Sequence, residues 1–210
     1  MKAKKLLLCL LAAFLGGCLP VMSLHSLYTE SDIVFEEKLL GTWTDDSNKP
    51  KTTWLFERMD DQKNTYKLIF SDEEGKKGSF SVYLVKLQDK FFLDVFPSQM
   101  PWDLDEPNQL EYPYNNLFMI PAHTFVKIDS FEPQLKMKIT DDSKMEELFK
   151  SEPDVVQYMP IEDRPFLTAT TKQLQEFVLK YADDERVFTN EVALVHKAGQ
   201  KSETKESEKQ

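Results

Sequence analysis

The chain has 210 residues, and its 36 Asp and Glu against 26 Lys and Arg give a formal net charge of −10. So acidic a surface repels phosphates and anionic lipid headgroups, which argues against nucleic-acid binding and against adsorption of the folded part to membranes. The length suits one domain with a sizeable core. Aromatic residues, at 12%, can supply much of its packing.

The first residues have the pattern of a secretory signal. Lys2, Lys4 and Lys5 form a positive start, and residues 6–15 form an apolar run of about ten residues. A signal-peptide core has ~7–15 apolar residues, whereas a membrane-spanning helix needs ~20. We therefore predict that residues 1–17 are a cleaved signal peptide and that the remainder is exported.

Leu15, Gly16, Gly17 and Cys18 resemble the lipobox of bacterial lipoproteins. An ordinary secretory cleavage site needs a small residue at position −3, but Leu15 is bulky and so favours the lipoprotein pattern. The resemblance implies that Cys18 is lipidated and becomes the mature N-terminus. Two or three acyl chains on one cysteine give stable membrane attachment. A plain secreted protein and an uncleaved membrane anchor are the alternatives.

The resemblance has two further implications. Cys9 leaves with the signal peptide and Cys18 is acylated, so no thiol remains for a disulfide in the mature chain. Lipoproteins retained in the inner membrane tend to have an aspartate after the cysteine, and this chain has Leu19. The implied location is the bacterial cell envelope, with the outer membrane favoured if there are two membranes.

Residues 18–30 lack clear periodicity, and we predict a lipidated N-terminus and spacer there. Residues 31–196 are predicted to form a single β-rich domain, and the polar residues 197–210 a disordered tail. Ser31 is predicted to cap a short helical turn that ends at Gly41.

Apolar and polar residues alternate with a period of two at 52–57, 66–70 and 135–139, which indicates β-strands. Residues 80–87 and 91–96 are apolar on both faces, except for Asp94, which predicts strands that lie between a core and a covering layer. Further strands are predicted from Gly41, at 117–120 and at 122–128, with one or two more over 187–196.

Two short helices are predicted in the C-terminal third. Ser143 with Glu146, and Thr170 with Gln173, have the spacing of capping boxes. The apolar stripes of the two helices are Met145, Leu148 and Phe149, and Leu174, Phe177, Val178 and Tyr181.

Gly41-Thr42-Trp43, followed by strands in meander order, resembles the start of a lipocalin. In that family the tryptophan closes the barrel floor. The resemblance implies an antiparallel barrel with Trp43 at its base and an apolar cavity, and Arg186 is the candidate for the arginine that packs over the tryptophan. The residues alone leave open that Trp43 is an ordinary core residue at a strand start.

Residues 97–116 contain four prolines and interrupt the strand rhythm. Trp102, Tyr112 and Tyr114 lie in this segment, and such amphipathic side chains anchor interfaces or cover cavities. We consider them, with Trp43, as candidate binding residues. Packing of a long loop onto its own domain is the alternative.

Little in the sequence indicates catalysis. No nucleophile elbow or phosphate loop occurs, and His25, His123 and His196 are far apart, so we predict no metal and no cofactor. His123 and Asp94 lie on predicted neighbouring strands and are weak candidates for an acid and base. The alternative for His123 is a buried histidine bonded to a backbone carbonyl.

These patterns together predict a membrane-tethered envelope lipoprotein with a non-catalytic domain that binds a small apolar ligand or an envelope protein. One alternative is an extracytoplasmic hydrolase that uses His123 and a nearby carboxylate. The other is a structural accessory of an envelope complex.

Overall fold

A computed structural model describes residues 20–45, 50–60, 62–98 and 119–197. Two helices, α1 (Asp142–Ser151) and α2 (Thr171–Lys180), and two 3-10 turns, Glu30–Asp32 and Glu37–Leu39, accompany the strands. The strands are β1 (Met22–Ser23), β2 (Ile33–Val34), β3 (Gly41–Thr44), β4 (Thr53–Arg58), β5 (Thr65–Ser71), β6 (Lys77–Leu87), β7 (Lys90–Pro97), β8 (His123–Ser130), β9 (Leu135–Thr140), β10 (Tyr158–Ile161), β11 (Arg164–Leu167) and β12 (Phe188–His196).

Eight antiparallel strands close into a barrel. Their order is β3, β4, β5, β6, β7, β8, β9 and β12, and β12 pairs back onto β3. The predicted fold class is confirmed: the protein is mainly antiparallel β, with a closed eight-stranded barrel and two short helices in its C-terminal third. This architecture is consistent with a lipocalin-like barrel.

The barrel interior is a packed apolar core. Because side chains alternate between the two faces of a strand, every second residue points inward. A core of inward residues is buried, with none of its members more than 9% exposed, and partly buried residues such as Trp54, Phe80 and Phe91 pack against it. The members of this core include Trp43, Phe56, Tyr66, Leu68, Val82, Leu84, Leu93, Val126, Met137 and Leu194. Side chains, and not a ligand cavity, therefore fill the barrel at these positions.

Residues 33–40 close one end of the barrel. The buried hydroxyl of Tyr66 donates to the carbonyl of Glu36 at 3.1 Å and accepts from its amide at 2.6 Å. Trp43 donates its indole N–H to the carbonyl of Leu39 at 2.9 Å. Gly41, the first residue of β3, has a φ of 110°, and a Cβ there would collide with the His196 ring, so this position must be glycine.

A second core lies between the outer wall of the barrel and the helices. In this layer, outward residues of β6, β7 and β8 contact α1, α2 and residues 20–30, which we call the N-terminal segment. The predicted apolar stripes of both helices are confirmed, and their members are buried here. The barrel and its outer layer thus share the wall formed by β6 to β8.

Several local predictions differ from the structure. Residues 20–30, predicted as spacer, pack on the barrel, with Val21, Ser23 and Leu27 buried. The helix predicted from Ser31 is instead two 3-10 turns separated by β2. Met119 and Ile120 are not in a strand, and residues 117–118 lie outside the described ranges.

The two predicted helix caps had opposite outcomes. Thr170 and Gln173 form the expected capping box at α2. At α1 the capping residue is Asp141, whose carboxylate accepts from the Lys144 amide at 3.1 Å, so the prediction at Ser143 is wrong by two residues. An aspartate that ends a strand and begins a helix satisfies an otherwise unpaired helix N–H equally well.

Candidate functional site

His123 and Asp94 form a close pair on the outer wall of the barrel. His123 begins β8 and Asp94 lies on the neighbouring β7, and the His123 Nδ1 is 2.6 Å from the Asp94 Oδ1. The Asp94 side chain is fully buried, and that of His123 is 13% exposed. These two residues are the predicted acid–base candidates, and the structure brings them within hydrogen-bond distance. The partner of His123 is a carboxylate, and not the backbone carbonyl considered as the alternative.

The second carboxylate oxygen of Asp94 holds the N-terminal segment. Its Oδ2 accepts a hydrogen bond from the Leu27 amide at 2.7 Å, and Leu27 is itself fully buried. Burial raises the pKa of the Asp94 carboxyl, because desolvation outweighs the opposing hydrogen bonds from His123 and Leu27. Both oxygens of Asp94 are therefore engaged within the fold.

Aromatic rings surround this pair. The ring of Phe96 lies against His123, with centroids 4.4 Å apart. Tyr28 and Tyr83 are neighbours on the same wall, also with centroids 4.4 Å apart, and burial raises the pKa of Tyr28. Such apolar cover strengthens the bond between His123 and Asp94 and limits the access of water to it.

The geometry of the pair permits two roles. A carboxylate that orients an imidazole is one half of an acid–base arrangement. The same contact also joins the N-terminal segment, β7 and β8 into one unit. Because the Asp94 carboxylate also accepts from the Leu27 amide, which belongs to the scaffold, the structural role explains both of its hydrogen bonds.

Trp43 lies at the end of the barrel that residues 33–40 close, and its indole bonds to Leu39 of that segment. Its ring meets the His196 imidazole edge-on, with centroids 4.9 Å apart. Arg186, the candidate for packing over Trp43, instead pairs with Asp184 at 2.6 Å and Glu152 at 3.4 Å. His196 thus occupies a position against Trp43 that the sequence analysis left unassigned.

A cleft of about 680 Å³ opens beside Trp43 at this end. Lys38 and Glu132 form an ion pair of 2.7 Å at the cleft. Its other lining residues are Glu37, Leu40, Pro133 and His196. The cleft is open to solvent and has both polar and apolar lining, so it is a surface depression and not an enclosed cavity.

Four other predicted site residues lie outside the described ranges: Cys18, Trp102, Tyr112 and Tyr114. The predicted signal peptide and residues 198–210 of the predicted tail also lie outside them. Between residues 20 and 197, with the gaps given above, no three His, Cys, Asp or Glu side chains cluster as metal ligands. No helix among those same residues is long and apolar enough to cross a bilayer.

Sequence reasoning missed one surface. Met22, Leu24, Met159 and Ile161 are 38–48% exposed, although all four are large and apolar. The available signal was the alternation of apolar residues on both sides of the Glu162-Asp163 turn. Pro160 and Pro165 obscured it, because proline is unusual inside strands.

Comparison with known proteins adds no identification: no protein-family model, no curated protein and no solved structure matches the chain.

Proposed function

We propose that this protein is a lipid-anchored lipoprotein of the bacterial cell envelope, attached through acyl chains on Cys18, with a barrel domain that binds an envelope partner and does not catalyse a reaction. The observation that carries the proposal is the pattern of residues 2–18, where a basic start, a short apolar run and Leu-Gly-Gly-Cys occur in register. The absence of Asp at position 19 favours the outer membrane.

The start of the described fold supports an anchor at this position. Pro20 comes two residues after Cys18, and Val21 is already buried, with its amide bonded to the Thr140 hydroxyl at 2.9 Å. A lipid on Cys18 would therefore hold the barrel close to the membrane. Acyl chains on a short tether can attach the acidic domain to a membrane without the need for a basic surface that binds anionic lipids.

The packed barrel supports binding at a surface over carriage of an internal ligand. Interior side chains fill the space that a lipocalin-like carrier uses for its ligand. Among the described residues, the surface features that could bind a partner are the cleft beside Trp43 and the apolar surface around Met22. A protein partner or another large surface fits these features better than a small apolar molecule.

The hydrolase alternative has one observation in its favour, the 2.6 Å contact between His123 and Asp94. Against this alternative, the Asp94 carboxylate also accepts a hydrogen bond from the Leu27 amide and is fully buried. We assign the pair a structural role, which the stability of Asp94 variants tests.

Metabolic labelling with an alkyne analogue of palmitate tests the anchor. We expect wild-type protein to take up the label and to fractionate with membranes, and Cys18→Ala to lose both properties. Cys9→Ala is the matched control, because Cys9 lies in the predicted signal peptide and its removal should leave labelling intact. Equal labelling of Cys18→Ala and wild type would contradict the proposal.

A further inference from the structure

Beside the barrel, three short strands form a small extension of the sheet. β1 pairs with the start of β8, β11 pairs with β1, and β10 forms the free edge beyond β11. In this register Met22, Phe166 and Met159 lie opposite one another and therefore point to the same side of the sheet.

The side that carries these three residues is apolar and exposed. Strand alternation adds Leu24 and Ile161 to it, and we call this set of five residues the apolar face. Met22, Leu24, Met159 and Ile161 are each more than a third exposed, while Phe166 is half-buried. Contiguous apolar surface of this kind marks an interaction site in a soluble domain.

The opposite side of the extension belongs to the core, so the strands themselves are firmly placed. Val21 and Leu167 point to that side and are almost fully buried. Tyr158 of β10 stacks on Phe149 of α1, with ring centroids 4.1 Å apart. The apolar face is therefore the solvent-exposed side of a sheet whose other side is packed.

The position of Cys18 indicates what covers the apolar face. Four peptide units separate Cys18 from Met22, and at ~3.6 Å each they span at most ~14 Å. Half of a bilayer's hydrocarbon core is ~15 Å thick. If acyl chains hold Cys18 at the membrane surface, Met22 cannot be far from that surface, and the rest of the face continues from it.

We propose that the apolar face rests on the lipid bilayer beside the acyl chains and so fixes the orientation of the barrel on the membrane. This inference rests on the proposed lipid anchor. The anchor raises the local concentration of the bilayer at the face, so that a contact too weak to bind the free domain becomes occupied. The acidic charge of the chain disfavours contact with anionic lipids, so we expect the lipid at the face to be zwitterionic.

The tips of the extension are compatible with such a surface. Glu162 and Asp163 form the turn between β10 and β11, with φ values of 49° and 66°. Arg164 follows them and lies 3.6 Å from Asp142. These charged groups lie at the rim of the apolar face, where they can remain in contact with water and headgroups.

The test uses the full mature lipoprotein in phosphatidylcholine vesicles. An environment-sensitive fluorophore is attached to Ile161→Cys or, as a second position, Met159→Cys. Lys67→Cys is the matched control, since Lys67 is exposed on β5, on another part of the barrel wall. We expect a blue shift and quenching by nitroxide lipids at positions 159 and 161, and neither effect at position 67.

Flotation of the labelled protein with the vesicles separates the two proposals. Protein that does not float contradicts the anchor itself. If the protein floats but the label at 161 behaves like the label at 67, the apolar face does not touch lipid and the inference is overturned. Shielding of the label from aqueous iodide without quenching by nitroxide lipid would also overturn it, because a second copy or another protein would then cover the face.

Discussion

Asp94 is buried between the N-terminal segment and the barrel wall, where each carboxylate oxygen has a partner. The Leu27 amide donates to one oxygen, and His123 contacts the other. A buried carboxylate is tolerated when such hydrogen bonds replace the water it has lost. The Asp94 side chain therefore holds residues 20–30 to the barrel.

Asp94→Ala should lower the free energy of unfolding by about 2–3 kcal/mol, because it leaves the buried Leu27 amide without an acceptor. Asp94→Asn should cost less, since its amide oxygen still accepts from Leu27 and its amide nitrogen can donate to the other tautomer of His123. Urea unfolding of the two variants and wild type measures the difference.

The outcome also separates the two roles considered for the pair. Equal stability of Asp94→Ala and wild type would remove the structural explanation and return the pair to consideration as an acid and base. A loss of stability in the expected order, Ala more than Asn, supports the assignment to the scaffold.

The pair was predictable because each residue lies in an apolar run of strand length, Asp94 in 91–96 and His123 in 122–128. The role of Leu27 was not predictable, since residues 18–30 have no periodicity that distinguishes a packed irregular segment from a spacer. The burial of Leu27 depends on a contact with Asp94, 67 residues later in the chain. No local pattern encodes a contact at that separation.

Ion pairs join the turn after α2 to two strands of the barrel. Lys127 of β8 has a side chain only 8% exposed and contacts Asp183 at 2.8 Å and Asp129 at 2.9 Å. Burial opposes the charge of Lys127, but the two carboxylates outweigh it and raise the Lys127 pKa. Lys90 also reaches Asp183, at 3.2 Å.

Asp183→Asn should destabilise the protein at pH 7 by no more than about 1 kcal/mol, because Asp183 is largely exposed and water screens the pairs. Hydrogen bonds from Lys127 and Lys90 lower the Asp183 pKa. A lowered folded-state pKa gives stability that is present above the unfolded value of ~3.9 and is lost as the pH falls through the folded value.

Thermal unfolding from pH 7 to pH 3 measures this effect. The difference between wild type and Asp183→Asn should shrink as the pH falls below 4 toward the lowered pKa. Glu185→Gln is the control, because Glu185 is exposed in the same turn and its substitution removes one acidic charge while leaving Asp183 and its ion pairs in place. A difference that is constant across the range would contradict the assigned ion pairs.

The elements were predictable to the extent that each has its own periodicity. Some barrel strands alternate with period two, others are apolar runs of strand length, and α2 has a capping box, so the sequence locates them. β10 and β11 were missed, because prolines stand opposite each other at Pro160 and Pro165. An edge strand such as β10 tolerates a proline, but edge position is a property of the sheet and not of the local sequence.

The whole molecule has two cores that share one wall. The inner core fills the barrel, and the outer core joins the barrel to the helices and to residues that follow Cys18 closely. The apolar face lies on the extension of that same wall. In the proposed arrangement, the anchor and the apolar face act together to hold the molecule at a membrane.

The central claim is the lipid on Cys18, because the proposed location and the proposed membrane contact both depend on it. Intact mass spectrometry of the mature protein extracted from bacterial envelopes tests it most directly. We predict a chain that begins at Cys18 and carries the added mass of diacylglycerol, with or without a further acyl chain. An unmodified chain that begins after residue 18, or one that retains residues 1–17, would contradict the account.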